Sequence, residues 1–260
     1  MTASLADAYD AFLFDLDGVL YRGDRAIPWA GEAVASLRSR GKGLAFVTNN
    51  SSTTPEAVAA RLTAMGIPVE PDEVETSALV TARVLADRGV ATAFVIGEEG
   101  IRRALVDAGI RVTDGDGSAV DAVVVGWDRE ADYAKLRSAS LLVQDGASLV
   151  ATNDDAAYPA PDGRLWPGAG AILGVIVTTT GVQPEVIGKP HPPVLESARE
   201  RAGGGSPLVI GDRLETDIAG AAGLGWDSLL VLTGVTQRAD LDGASARPTH
   251  VADDLSILLA

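Results

Sequence analysis

The chain has 260 residues, 47% hydrophobic and 22% charged, with 36 acidic against 21 basic side chains, 2 histidines and no cysteine. Such a composition fits a globular protein of one large or two modest domains, whereas a formal net charge of -15 excludes nucleic-acid binding by general backbone attraction. The missing thiol excludes disulfides, thiolate catalysis and zinc-thiolate sites, and no run nears the roughly 20 apolar residues of a membrane span.

Met1 to Ala8 lack the basic-then-apolar order of a leader, so a cytoplasmic location and no membrane partner are expected. Strand-like runs follow near residues 11–15, 43–48, 92–97, 121–126, 147–151, 207–211 and 227–232, with helix signals between them. Parallel strands need crossover connections, so this alternation predicts a three-layer, doubly wound α/β fold on a mainly parallel sheet.

The first run, Ala11-Phe12-Leu13-Phe14, leads straight into Asp15-Leu16-Asp17-Gly18. Two carboxylates thus stand at a strand's carboxyl end, where ligands bind in open parallel sheets. Ala30, Ala33, Val34 and Leu37 then form a helical stripe ended by Gly41. Phe46-Val47-Thr48-Asn49-Asn50 places a hydroxyl and two amides after the next run. Thr54-Pro55-Glu56 reads as a helix start, with Ala57, Ala60, Ala64, Val58, Leu62 and Met65 as its apolar face.

From Ala93 the chain repeats the rhythm: Ala93 to Gly97, Ile101 to Ala108, Val123 to Gly126, Tyr133 to Val143. Residues 80–184 are therefore read as an inserted α/β domain between core segments 1–79 and 185–260, with a polar turn at 114–117. Val186-Ile187-Gly188-Lys189-Pro190 and Leu208-Val209-Ile210-Gly211-Asp212 again put a charge just past an apolar run, with a flexible Gly203-Gly204-Gly205 loop between.

These strand ends point to one site for a phosphate and a divalent cation. A carboxylate such as Asp15 can take up a phosphoryl group as nucleophile. A second, Asp17, can protonate the leaving alcohol and then deprotonate water. Two carboxylates beside a phosphate repel, which calls for Mg²⁺ and its six oxygen ligands, Asp212 supplying another carboxylate. Thr48 and Asn49, at a helix start, can donate to phosphate oxygens, and Lys189 can set an ammonium against them. Asp217 can orient ligands from behind Asp212.

Taken singly, each motif has a plain reading. Asp17-Gly18 is equally an Asp-Gly turn, Thr48 a strand-end hydroxyl and Lys189 a surface lysine. Other chemistries fail on the residues: Gly168-Ala169-Gly170 lacks the dinucleotide spacing, no Walker lysine motif occurs, and 2 histidines are too few for a triad built on a nucleophile elbow.

Together, Asp15-x-Asp17-Gly18-Val19-Leu20, Thr48-Asn49-Asn50-Ser51, Gly188-Lys189-Pro190 and Gly211-Asp212-x-x-x-Thr216-Asp217 resemble the four motifs of the haloacid dehalogenase-like phosphatases. Threonine after the second strand and the long insert resemble subfamily IIA. The resemblance implies a Rossmann-like core that hydrolyses small phosphorylated metabolites (sugar, glycerol, glycolate, nucleotide or aryl phosphates) through an aspartyl-phosphate with Mg²⁺. It implies Asp15 as nucleophile, Asp17 as acid/base with its carbonyl on Mg²⁺, Thr48 and Asn49 on phosphate, Lys189 on phosphate and nucleophile, Asp212 on Mg²⁺, and Asp217 in support.

It further implies that the insert is a cap closing over the leaving group and commonly making a homodimer. Asn153, Asp154, Gly168 and Gly170 resemble cap positions that select substrate. Many relatives carry Pro-Asp after that asparagine; here Asp154-Asp155 stands instead, and the extra carboxylate is expected to disfavour acidic leaving groups. A phosphotransferase or phosphomutase would use the same aspartyl-phosphate, and a phospho-acceptor signalling domain would share the acids and lysine.

Overall fold

The computed structural model describes residues 4–113, 115, 118–159 and 164–259. All seven apolar runs are strands, and they divide between two parallel sheets.

The larger sheet has six strands in the order His250–Ala252, Asp227–Val231, Pro207–Gly211, Ala11–Phe14, Gly43–Thr48 and Val74–Thr76. Ala11–Phe14 is buried along its whole length, as a strand covered on both faces must be. Phe14 pairs with Phe46 in register, and their rings stack with centroids 5.8 Å apart. Around them pack Val34 and Leu37 from the helix Ala30–Ser39 and Val58 and Leu62 from the helix Pro55–Ala64. From Ala11–Phe14 the chain runs outward to Gly43–Thr48 on one side and returns at Pro207–Gly211 on the other. That reversal of strand order is the switch point at which open α/β sheets form their ligand crevice.

The second sheet orders Glu185–Val186, Ser148–Ala151, Ala122–Val125, Thr92–Ile96 and Arg111–Thr113, again with parallel pairings. The helices Tyr133–Gln144 and Ala169–Thr180 contribute Ala139, Leu142, Val143, Leu173 and Ile176 to its separate core.

The described residues form two compact units, one from Met1–Thr48, Pro55–Glu75 and Lys189–Ala260, the other from Asn49–Thr54 and Thr76–Gly188. Asn49–Thr54, read from the sequence as core, is hydrogen-bonded within the second unit: Asn153 Nδ2 and Ser77 Oγ donate to the Asn49 carbonyl at 2.8 and 2.7 Å, and the Gly100 amide donates to Ser52 at 3.0 Å.

One further expectation needs correction. Ala57, Ala60 and Ala64 are exposed, because the helix Pro55–Ala64 buries the adjacent row of Val58, Ala59 and Leu62. The turn expected at 114–117 lies, apart from Gly115, outside the described residues. Among the described residues, no helix is long and apolar enough to cross a membrane.

Candidate active site

The Asp15 amide donates to the Ile210 carbonyl at 2.8 Å, so the parallel ladder continues one residue beyond Ala11–Phe14 and sets Asp15 at the switch point. The chain then turns sharply, the Gly18 amide donating to the Tyr21 carbonyl at 2.8 Å and Asp17 bridging to Tyr21. Gly18 holds φ +83°, and a Cβ there would come 2.7 Å from the Asp212 carboxyl carbon. Glycine is required on both counts.

Lys189 is 3% exposed, and its ammonium donates to Asp15 Oδ1 at 2.5 Å and Asp217 Oδ1 at 2.6 Å. Asp212 follows the strand Pro207–Gly211; its Oδ2 accepts the Val235 amide at 2.6 Å, while Oδ1 is buried with no hydrogen-bond partner. One oxygen from each of Asp15, Asp212 and Asp217 lies within 4.8 Å of the others.

The electrostatics follow from that crowding. Burial and, behind it, the neighbouring Asp217 and Asp212 push the Asp15 carboxyl well above its usual range, against the pull of Lys189. Burial, then Asp217, pushes Asp212 up to about 6. Burial alone would depress Lys189, but Asp15 and Asp217 outweigh it and hold the ammonium above the ordinary lysine value. Asp17 is raised by partial desolvation, opposed by Arg61, Arg213 and Arg22.

Three carboxylates surround one ammonium, so full ionisation leaves two negative charges uncompensated. A divalent cation would balance that excess and take up the orphaned Asp212 oxygen. The residues therefore fit such an ion. Asp217 already spends Oδ1 on Lys189 and Oδ2 on the Arg213 amide at 3.2 Å, so Asp15 and Asp212 offer the unspent oxygens.

The structure thus gathers Asp15, Lys189, Asp212 and Asp217 into one cluster, with Asp17 on the adjoining turn. Thr48 ends the neighbouring strand Gly43–Thr48 and is buried. Asn49, Asn153, Asp154, Gly168 and Gly170 belong to the second unit. There Asn153 is buried, Asp154 is exposed, and the Gly168 and Gly170 amides donate to Ala156 and Asp155 at 3.0 and 2.9 Å.

Sequence reasoning missed the segment Leu232 to Thr236. Besides the Val235 contact, the Thr236 amide donates to the Asp212 carbonyl at 3.1 Å and Thr233 Oγ1 to the Gly18 carbonyl at 2.6 Å. Its position just after the strand Asp227–Val231 was the available signal.

Two family models match the chain: a haloacid dehalogenase-like hydrolase over residues 12–111 and a HAD-hydrolase-like one over 186–258. The chain is 41% identical to the 5'-nucleotidase YutF of Bacillus subtilis, covering 95% of this chain and 96% of that protein. It is 39% identical to an acid sugar phosphatase of Staphylococcus saprophyticus, with coverage of 95% and 96%. Among solved structures, a glycerol phosphate phosphatase of Mycobacterium tuberculosis in complex with magnesium superposes with a TM-score of 0.94 at 35% identity, covering 99% of this chain and 78% of that one.

Proposed function

The chain belongs to the haloacid dehalogenase-like hydrolases, and from that premise we propose a Mg²⁺-dependent phosphatase of small phosphate monoesters that works through an aspartyl-phosphate on Asp15. The observation that carries the reading is the convergence of Asp15, Lys189, Asp212 and Asp217, far apart in sequence, around a charge excess that a divalent cation neutralises.

In the first half-reaction an Asp15 carboxylate oxygen bonds to phosphorus as the bond to the leaving oxygen breaks, and Asp17 gives that oxygen its proton. In the second, Asp17 takes a proton from water whose oxygen attacks phosphorus. The Asp15 carboxylate is thereby released along with inorganic phosphate. Asp17 is exposed, and partial desolvation by its surroundings shifts its carboxyl upward, a direction that suits the first step. Lys189 orients the nucleophile through its bond to Oδ1 and holds positive charge where phosphate arrives. Asp15 and Asp212, with the Asp17 carbonyl and with Asp217 in support, would hold Mg²⁺, which would supply neutralising charge.

Thr48 and Asn49 are assigned to phosphate binding. In the second unit we assign substrate selection to the exposed Asp154, on a loop held by Asn153, Gly168 and Gly170. A homodimer through this unit is supported by Leu165 and Trp166, 73% and 43% exposed on a short hairpin; sedimentation velocity tests it.

The decisive experiment measures inorganic phosphate released from p-nitrophenyl phosphate, glycerol 3-phosphate and a nucleoside monophosphate, with Mg²⁺ and after chelation. Multiple turnovers that stop on chelation are expected. A single stoichiometric phosphorylation would reject hydrolysis, and transfer to an added alcohol without free phosphate would identify a transferase.

A further inference from the structure

Leu232 to Thr236, just after the strand Asp227–Val231, carry no ionisable side chain, and the reaction as derived uses none of their side chains. The segment nevertheless ties together the two loops that hold acids. Thr233 Oγ1 donates to the Gly18 carbonyl at 2.6 Å, while the Val235 amide donates to Asp212 Oδ2 at 2.6 Å and the Thr236 amide to the Asp212 carbonyl at 3.1 Å. Arg22, on the hairpin after Asp17, donates through Nη2 to the Thr233 and Gly234 carbonyls. The fit is close: a Cβ on Gly234 would overlap the Asp212 carboxyl group, and one on Gly18 would come 3.0 Å from the Gly234 Cα.

Of the segment's own groups in these contacts, the Thr233 hydroxyl alone belongs to a side chain. The others are backbone amides and carbonyls, which almost any residue supplies. A hydroxyl is therefore used at one place, and there it reaches the residue that follows Asp17. Asp17 is exposed and lies on a turn, so no strand ladder of its own fixes its direction. Gly18, next to it, has the freest of all backbones and needs outside anchors to keep one conformation. It has two: its amide donates to the Tyr21 carbonyl at 2.8 Å, and its carbonyl accepts from Thr233.

Resting on the phosphatase reading above, we propose that Thr233 is a positioning residue for the acid. Its hydroxyl pins the Gly18 carbonyl so that Asp17 meets the leaving-group oxygen, and it does so from the same segment that grips Asp212. A proton moves only across a hydrogen bond, and a misplacement of about 1 Å costs up to about 10²-fold in rate. A hydroxyl that merely satisfied a buried carbonyl would act on stability and would treat all esters alike. One that aims an acid acts where the leaving group needs a proton.

The test uses kcat/KM, which covers the first half-reaction, in which the alcohol departs. It compares p-nitrophenyl phosphate with an alkyl ester, glycerol 3-phosphate or a nucleoside monophosphate, whichever wild type cleaves faster. The variants are Thr233→Val, which keeps the shape and loses the hydroxyl, Thr233→Ala, which serves if the valine prevents folding, and Thr233→Ser, which keeps the hydroxyl. In Thr233→Val the alkyl ester should lose about ten- to a hundredfold and the aryl ester less than about threefold, with Thr233→Ser restoring most of the loss. Added to Asp17→Asn, Thr233→Val should cost the alkyl ester nothing further, because the acid it aims is gone. Equal losses for the two esters, or an undiminished loss on top of Asp17→Asn, would overturn the inference and leave the phosphatase reading standing. A wild type that cleaves the aryl ester alone would overturn it too, and one that cleaves neither would sink both readings.

Discussion

Both sheets are parallel, and both gather polar side chains where their strands end, yet they do so with different chemistry. In the six-stranded unit the gathered groups are charged: Asp15, Asp212 and Asp217 around Lys189, with a carboxylate oxygen left unpaired. In the five-stranded unit the charges are paired off, Asp128 with Lys135 at 3.0 Å and Glu98 with Arg129 at 2.7 Å, and beside them neutral hydroxyls and amides bond to one another. Thr152 Oγ1 donates to Ser51 Oγ at 3.0 Å, and Asn153 ties its own loop to the Asn49 carbonyl. The neutral cluster closes its hydrogen bonds within its own unit, Asn49 Nδ2 donating also to Asp155 Oδ2 at 3.3 Å, whereas the charged one carries repulsion that a bound cation or protonation relieves. Incompleteness marks the chemistry here better than burial does, since both clusters are buried.

The contrast breaks first at Asp15. Asp15→Asn should cut phosphate release by about 10⁴-fold or more while the fold persists, because the amide is a poor nucleophile of nearly unchanged shape. Steady-state release of phosphate checks it, and appreciable turnover would remove Asp15 from its assigned role. Asp17→Asn should cost about 10²–10⁴-fold with glycerol 3-phosphate and markedly less with p-nitrophenyl phosphate, whose leaving group needs little protonation. Equal losses would place Asp17 outside proton transfer.

How much of this was readable in advance depended on what kind of atom did the work. Ala11–Phe14 and Pro207–Gly211 announce themselves because strands buried on both faces must be apolar throughout. Asp15, Lys189 and Asp212 announce themselves as charges placed directly after such runs. Val235 and Thr236 did not, since they act through backbone amides that any residue supplies. The membership of Asn49–Thr54 in the second unit was hidden too, for it rests on partners such as Asn153 about a hundred positions away. Ala57, Ala60 and Ala64 misled because alanine is indifferent to which side of a helix it takes.

Asp212 sharpens the comparison through pH. Its carboxyl stands at about 6 in the folded chain against an ordinary 3.8, so its ionisation opposes folding. The associated stability is whole below the unfolded value and is lost as pH rises through the folded one. Metal-free protein should therefore lose up to about 3 kcal/mol as pH rises from about 4 to about 6. Asp212→Asn should flatten that decline and also abolish stabilisation by added Mg²⁺, which denaturant melts at several pH values resolve. A wild-type stability indifferent to both pH and Mg²⁺ would mean that the cluster is not strained.

The smallest effect expected is in the neutral cluster, and it completes the contrast. Asn153→Ala removes the amide that donates to Asn49 at 2.8 Å and the oxygen that accepts the Asp155 amide at 3.1 Å. The cost should be about 2 kcal/mol, from buried hydrogen bonds lost without any change of charge. It should therefore be the same at acid and neutral pH, and the same with or without Mg²⁺. A cost that varied with either would couple the neutral cluster to the ionised one and erase the distinction between a region that is complete by itself and one built to be completed by its ligands.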